Sequence, residues 1–332
     1  MTVATDQSWD ARLKELASPA PLLQSWGYGE TQAREGWAVE RLRLPGGALA
    51  TVLFQGRGRL RRAYVPRGPV PATPEALGEL ARWAREQRLA RLRVEPEAGP
   101  ELRETLVGIG FRPAAHVHPP ETVIVPLGAE AEMLAAFKPK HRYNIRLGLK
   151  RGVSVEESQS AEAAEELSRQ SEATARRQGI SLPQLAIYRH RLELLDWCRI
   201  YVAHHEGRPI AAIMVARFAA RAYYLFGGAS GEARELMPAY VLQWTAMRAA
   251  AEAGCRDYDL WGVPPRPDPD HPWHGLWQFK TGFGGQFVEL CGAWELPLSP
   301  LAARLGETPQ RLARSLRGVL TSRQVTNRTE RL

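Results

Sequence analysis

The sequence predicts an α/β protein with mixed sheets, built from two tandem copies of one unit. The chain has 332 residues, which suits two domains better than a single core. In each half, three apolar runs with a period of two precede a helical pattern and a further strand. Equivalent positions such as Ala50 and Ala212 lie 162 residues apart, so the order of elements repeats.

The first copy contains a strand meander followed by two helices that alternate with strands. Glycine-rich breakers at 45–47 and 56–58 separate the apolar runs. Thr73 is placed to cap a helix that has Pro74 in its first turn. The predicted strands are 37–43, 48–54, 60–65, 91–95 and 122–125, and the predicted helices are 74–87 and 101–107.

The second copy follows the same plan after a helical stretch. Its predicted strands are 199–203, 210–215, 222–226 and 257–261, with a helix at 239–253 that Gly254 ends. The intervening helices are predicted at 131–137, 138–151, 161–177 and 182–197. A Trp-rich loop at 264–274, a short helix at 275–280 and a strand at 287–291 follow. We predict one domain at 1–127, a second at 128–295 and a tail at 296–332. From Ser299 onward the tail is amphipathic and Arg-rich, so it either packs back on the first domain, which we favour, or contacts an anionic surface.

Composition excludes several classes of protein. A 44% hydrophobic and 24% charged chain is globular, and no apolar run is long enough to span a membrane. Three widely separated cysteines predict free thiols in a reducing cytoplasm, and no zinc-ligand or P-loop spacing is present. A meander followed by a helix suggests an acyl-CoA N-acetyltransferase. The glycine turn at 43–48, however, lies between two strands rather than before a helix, so no CoA site is visible.

The net charge of +8 favours a polyanionic partner, and one segment concentrates it. Residues 138–151 contain no acid, and only five lysines occur in the chain. At helical spacing the basic side chains either track a phosphate backbone or form a solvated basic face. The candidate ligands for nucleic-acid phosphate are Lys138, Lys140, Arg142, Arg146 and Lys150.

A second candidate is Lys280, which lies between Trp277 and the glycine turn 282–285. Lysine offers a compact cation that can neutralise an oxyanion or a phosphate, or it simply ends a helix there. Glu95 and Asp259 each lie at the end of a predicted strand, where a carboxylate acts as a general base or caps the next element.

Taken together, these segments resemble the Fem family, the peptidyltransferases that build peptidoglycan cross-bridges from aminoacyl-tRNA. The resemblance rests on ordered motifs that cover most of the chain: 23–25 with 36–37, 64–69, 140–155, 174–179, 224–228, 258–263 and 276–285. It implies two acetyltransferase-like domains without the coiled-coil arm that some members carry. It also implies that the C-terminal tail returns to domain one.

The resemblance also implies roles for individual residues. Phe279 and Lys280 are similar to the family's catalytic pair, and Glu95 stands where the family commonly has an aspartate near the acceptor amine. Arg177, Tyr224 and Phe226 resemble positions that hold the muramyl-peptide nucleotide or its peptide. Gln32 stands where we expect a lysine that contacts substrate phosphate, so that contact falls to Gln32 or to the nearby Arg34.

The implied reaction transfers an amino acid from aminoacyl-tRNA to the side-chain amine of a stem peptide, on UDP-MurNAc-pentapeptide or lipid II. It requires no cofactor or metal. We expect a cytoplasmic monomer with no stable DNA partner and at most peripheral contact with the inner face of the membrane. Two alternatives stay open: an acyl-CoA-dependent N-acyltransferase on the same fold, and a non-catalytic tRNA-binding module.

Overall fold

The computed structural model describes residues 6–178, 184–195, 197–231, 233–263 and 274–299. These residues form two compact units. Unit 1 comprises residues 6–120 and 289–299, and unit 2 comprises the described residues from 121 to 288. The predicted loop at 264–273 and the tail from 300 onward lie outside the described residues.

The helices and strands follow the predicted order. The first part of the chain forms α1 (Asp6–Leu16), α2 (Trp26–Arg34), β1 (Ala38–Arg43), β2 (Leu49–Gln55), β3 (Arg62–Pro66), α3 (Pro74–Glu86), β4 (Arg91–Glu95), α4 (Leu102–Ile109) and β5 (Arg112–Pro113). The middle part forms β6 (Glu121–Pro126), α5 (Glu130–Ala136), α6 (Pro139–Lys150), β7 (Ser154–Ser158), α7 (Ala161–Gln178) and α8 (Leu185–Leu194). The last part forms β8 (Cys198–His205), β9 (Arg208–Phe218), β10 (Arg221–Ala229), α9 (Pro238–Glu252), β11 (Asp257–Gly262), α10 (His274–Thr281), β12 (Gln286–Glu289) and β13 (Trp294–Pro297).

The predicted elements of both copies are confirmed, with ends that differ by at most three residues. The helix α3 illustrates why. Thr73 accepts a hydrogen bond from the backbone N–H of Ala76 and so caps the helix, while Pro74 occupies its first turn. Its apolar residues recur every three or four positions, and they bury one face of the helix in the core of unit 1.

The sheet of unit 1 has the strand order β1-β2-β3-β4-β13-β5 within the described residues. The strands β1, β2 and β3 form an antiparallel meander, and β4 then pairs parallel to β3 after the crossover helix α3. The strand β13 returns from the far end of the described chain and lies antiparallel to β4 and β5.

The sheet of unit 2 repeats this arrangement, with the order β12-β6-β11-β10-β9-β8-β7 in the described part of the chain. The strands β8, β9 and β10 form the meander, and α9 carries the chain over to β11, which is parallel to β10. The strand β6 lies antiparallel to β11, in the place that β13 takes beside β4. The sequence-predicted repeat is therefore present in the topology.

The predicted domain boundaries place two strands in the wrong sheet. Residues 122–125, placed with the domain at 1–127, form β6 and pair with β11 in unit 2. The predicted boundary after residue 295 divides residues 294–297 between two segments, whereas the structure has them as one strand, β13, in the sheet of unit 1. Apolar periodicity identifies a strand but not its neighbours, because pairing depends on contacts distant in sequence.

The helix α7 packs directly on β10, and glycine makes that close approach possible. A Cβ built at Gly228 would fall on the backbone of Gln170 and Ser171 in α7. The second glycine of the 224–228 motif therefore has a packing reason that is independent of any ligand.

We predict that Gly228→Ala destabilises the protein by about 1–3 kcal/mol, because the methyl group meets helix backbone that cannot move aside. Gly78→Ala, in the interior of α3 with open space around its Cβ position, should instead stabilise by about 0.5–1 kcal/mol. Urea unfolding of both variants is the measurement. Equal effects in the two variants would contradict the close packing of α7 on β10.

Candidate active site

The side-chain amine of Lys280 is buried in unit 2, in the last turn of α10. Only 6% of the residue is exposed. Its Nζ donates to the carbonyl oxygen of Gly262 at 2.8 Å and to that of Trp261 at 3.5 Å, and it lies 5.4 Å from the ring centroid of Tyr224. A protonated amine carries three N–H donors, so at least one remains for an oxygen of a substrate.

Burial lowers the pKa of Lys280 to about 7, because desolvation disfavours the ammonium form. The negative charge of Asp259 acts in the opposite direction and keeps the pKa from falling further. The amine therefore exchanges its proton close to neutral pH. Such a group can stabilise a developing negative charge or pass a proton during a reaction.

The two carbonyls that hold Lys280 belong to an irregular stretch of β11. The pairing register with β6 shifts between Asp259 and Gly262, and Trp261 has φ +61°, in the left-handed region that non-glycine residues seldom adopt. The carboxylate of Asp259 accepts the backbone N–H of Trp261 at 2.8 Å and the hydroxyl of Thr122 in β6. Asp259 thus fixes the backbone that receives the amine.

The turn after α10 packs against the first turn of α6. The backbone N–H of Lys138 donates to the carbonyl of Gly282 at 2.9 Å. The Nε2 of His141 donates to the carbonyl of Phe279 at 2.8 Å, since a carbonyl can only accept. A Cβ at Gly282 would collide with the imidazole, and Phe283 is fully buried beside it. The predicted aromatic and glycine-rich segment is therefore a tightly packed turn.

The predicted acceptor-binding residues lie on β10 and α7. Tyr224 adjoins Lys280, and burial raises the pKa of its phenol to about 12, so it stays neutral. Phe226 is buried, with its ring edge-on to Tyr188 and 5.4 Å from the guanidinium of Arg191. Arg177 lies in the last turn of α7, but its side chain lies outside the described part of the structure.

The outer face of α6 carries most of the predicted phosphate ligands. Lys138, Lys140, Arg146 and Lys150 are exposed. Tyr143 lies among them with 62% of its surface exposed. Arg142 differs, because its guanidinium donates to the carbonyls of Leu134, Ala135 and Phe137 at the end of α5. The Nη1 of Arg142 thus caps α5, which makes Arg142 a weaker candidate for a phosphate contact than the four exposed cations.

Glu95 lies in unit 1 at the end of β4, with 1% of its surface exposed. Its carboxylate accepts hydrogen bonds from Tyr64 Oη at 2.5 Å, from Val117 N at 2.5 Å and from both the backbone and Nδ1 of His118. Burial alone would raise its pKa, but the hydrogen bond and charge of His118, with Arg67 and Tyr64, lower it to about 2. Glu95 is thus a weak base that ties the 117–118 backbone to the sheet.

The two candidates for a diphosphate contact lie in unit 1 and differ in exposure. Gln32 is 1% exposed, and its amide donates to Glu35 at 3.1 Å. Arg34 is the last residue of α2, and its side chain is exposed. The buried and engaged amide of Gln32 does not suit a ligand for a soluble phosphate, so Arg34 is the better candidate of the pair.

Three residues of unit 2 that the sequence analysis did not single out lie close to predicted site residues: Tyr143, Thr122 and His141. Tyr143 could have been found from its helical spacing within the basic segment. Thr122 and His141 could not, because each acts across a contact between elements far apart in the chain. No cluster of His, Cys, Asp and Glu suited to a metal ion occurs among the described residues. No described helix combines the length and apolar character needed to cross a bilayer.

Comparison with known proteins identifies a matching family and a similar protein. Residues 198–310 match the model of the FemAB family. The chain is 22% identical to lipid II:glycine glycyltransferase of Staphylococcus aureus, over 94% of this chain and 96% of that one.

Solved structures agree with the fold. A crystal structure of FemX superposes with a TM-score of 0.80 at 22% identity, over 92% of this chain and 99% of that one. A tandem GNAT protein from the clavulanic acid biosynthesis pathway gives 0.56 at 14% identity, over 90% and 98% of the two chains. The predicted fold of two tandem acetyltransferase-like domains is confirmed.

We predict that Glu95→Gln destabilises the protein at pH 7, and that the difference shrinks as the solution is acidified. The pKa of Glu95 is about 2 in the folded protein and 4.5 for an ordinary glutamate, so the unfolded chain takes up a proton first as the pH falls. The ionised carboxylate therefore stabilises the fold above pH 4.5, by on the order of 3 kcal/mol, and this is lost toward pH 2.

Urea unfolding of wild type and Glu95→Gln at pH 7 and pH 3 measures this difference. Glu86→Gln on the exposed side of α3 is the matched control, and it should change stability by less than about 0.5 kcal/mol. A Glu95→Gln penalty of the same size at both pH values would contradict the hydrogen-bonded, ionised state of Glu95.

Proposed function

The chain is a member of the FemAB family, and on that premise we propose that it is an aminoacyltransferase of peptidoglycan bridge formation. The proposed donor is aminoacyl-tRNA. The proposed acceptor is the side-chain amine of a stem peptide, carried by lipid II or by UDP-MurNAc-pentapeptide. The name of the relative in Staphylococcus aureus, a lipid II:glycine glycyltransferase, supports a lipid-linked acceptor.

In the proposed reaction, the acceptor amine attacks the ester carbonyl of the charged tRNA. A C–N bond forms, the C–O bond to the ribose breaks, the amine loses a proton and the terminal hydroxyl of the tRNA gains one. A lysine-like amine has a pKa of about 10.4, so its ammonium form first releases one proton to solvent, and the neutral amine that attacks then gives up a second proton. Glu95 is ionised but fully engaged in unit 1. We therefore propose that the departing ribose oxygen takes the second proton, and that Glu95 holds the backbone of Val117 and His118 in place and is not the base.

The observation that carries this proposal is the buried amine of Lys280, with at least one N–H donor left for a substrate. A cation in a site from which water is excluded stabilises the tetrahedral oxyanion, or the departing ribose oxygen, more strongly than it would in water. Phe279 is the preceding residue and packs among Tyr240, His141 and Phe283. Its proposed part in catalysis is to hold Lys280 in place.

The proposed tRNA-binding surface is the exposed face of α6, comprising Lys138, Lys140, Tyr143, Arg146 and Lys150. Lys138 and Lys140 lie at the N-terminal end of α6, and Arg146 and Lys150 lie about one turn apart toward its C-terminal end, so exposed cations extend along the helix as contacts with a phosphate backbone require. The exposed ring of Tyr143 adds a platform on which an unpaired base can stack.

On the acceptor side, Tyr224 adjoins Lys280 and offers a neutral hydroxyl near the reacting centre. In unit 1, we propose that the exposed Arg34 supplies positive charge toward the acceptor's phosphates. The role of Arg177 in holding the acceptor rests on the family resemblance alone. Phe226 supports β10 from within the core rather than by direct contact with substrate.

We predict that Lys280→Ala lowers the rate of aminoacyl transfer by about 10²–10³, since it removes the donor that meets the oxyanion. The measurement is transfer of radiolabelled amino acids from a pool of charged tRNA to lipid II and, in parallel, to UDP-MurNAc-pentapeptide. Lys14→Ala, at an exposed position of α1, is the matched lysine control and should retain wild-type activity.

Absence of transfer by the wild type to either acceptor would overturn the proposed function. Turnover of acetyl-CoA by the same preparation would then identify an acyl-CoA-dependent enzyme on this fold. Transfer that survives in Lys280→Ala would refute the role of the buried amine while leaving the reaction itself in place.

We predict that replacing both Lys140 and Arg146 by alanine makes the negative slope of log K for tRNA binding against log salt shallower by about 1.5–2, because two phosphate contacts are lost. Fluorescence anisotropy of labelled tRNA at several salt concentrations measures the slope. Arg142→Ala should leave the slope unchanged and lower thermal stability instead, because that guanidinium caps α5. An equal loss of slope in Arg142→Ala would contradict the assignment.

A further inference from the structure

His141 is buried on the inner side of α6, opposite the exposed basic face. It is 4% exposed. Its ring stands edge-on to Tyr240 and Phe283, with centroids 5.0 and 4.7 Å away, and its Nε2 donates to the carbonyl of Phe279. Its Nδ1 makes no hydrogen bond within the described part of the chain.

The carbonyl that His141 binds is one that α10 cannot satisfy by itself. The last four carbonyls of a helix have no intrahelical partner, and Phe279 lies within the final turn of α10. A buried carbonyl without a donor would cost about 1–3 kcal/mol. His141 therefore caps the end of α10 from a neighbouring helix. The backbone N–H of Lys138 does the same for Gly282, so α6 holds both ends of the turn that follows Lys280.

Burial lowers the pKa of His141, and the charges of Lys138 and Lys140 lower it further, against the effect of the hydrogen bond to Phe279. A neutral ring is therefore favoured at physiological pH. Since Nε2 must be the donor to the carbonyl, the neutral ring carries its proton there and not on Nδ1.

We propose that His141 is a positioning residue for Lys280, acting through its hydrogen bond to the carbonyl of Phe279. The hydrogen bond fixes the backbone position of Phe279, the residue before Lys280. It thereby fixes the position from which the lysine side chain reaches the carbonyls of Trp261 and Gly262. This inference rests on the proposed function. It adds that the helix whose outer face is proposed to bind tRNA also determines the placement of the catalytic amine.

The test separates the donor from the ring. His141→Phe keeps an aromatic ring in the cluster but leaves Phe279 without its donor, whereas His141→Gln keeps an N–H donor without the ring. We expect kcat of His141→Phe to fall by roughly 10- to 100-fold, as a small displacement of a catalytic group does. The KM values for charged tRNA and acceptor should stay within about twofold, because substrate contacts are untouched. We expect His141→Gln to recover most of the lost kcat.

Several outcomes would overturn the inference. One is a wild-type kcat in His141→Phe. Others are an equal loss in both variants, which would assign the effect to ring packing, and a rise in KM in place of a fall in kcat. Absence of transfer by the wild type would count against the proposed function instead, so the two failures are distinguishable.

A measurement independent of activity and of the variants is the tautomer of His141 in the wild-type protein. Nitrogen-15 NMR of the imidazole at pH 7.5 should show a neutral ring protonated at Nε2. A neutral ring protonated at Nδ1 would leave Nε2 without a proton to donate, and it would overturn the proposal even if both variants failed to fold.

Discussion

The burial of a single amine, that of Lys280, is the constraint on which the geometry of the second unit's site depends. An ammonium taken out of water is costly unless oxygen atoms replace its hydration. Two backbone carbonyls and one nearby carboxylate take that place here, and the balance leaves the pKa near neutrality. The surrounding backbone must consequently be held at a defined distance from the amine.

That backbone is irregular, and two strands from distant parts of the chain hold it. Asp259 in β11 fixes the left-handed Trp261, and Thr122 in β6 donates to the same carboxylate. The entry of β6 into the second sheet before the helical stretch is therefore more than a detail of topology. Without β6 beside β11, Asp259 would lose one partner and the carbonyls would lose part of their support.

The sequence predicts the helices and strands of this fold well, but it predicts less well which strands pair with one another. Period-two runs and helix caps are local, so the strands, the helices and the repeat follow from the chain itself. The four-residue β13 is too short to show a period, and the partner of β6 is more than a hundred residues away. Among the site residues, Lys280 was visible as a scarce lysine before a glycine turn. The engagement of Arg142 and Gln32 was not, because it depends on tertiary contacts.

In this chain the positions of the lysines indicate binding and catalytic sites better than the net charge does, because many of the positive charges are arginines. Arginine can be used inside a protein, because its planar guanidinium forms paired hydrogen bonds with a carboxylate and is weakly hydrated. Arg91 and Arg93 are both buried, and both form an ion pair with Glu295 across β4 and β13. An excess of arginine therefore does not by itself indicate a binding surface. Lysine is strongly hydrated, so a single buried one needs a reason. An exposed group on one helix needs one as well, because the chain has so few lysines. The proposed tRNA surface and the proposed catalytic amine supply those reasons.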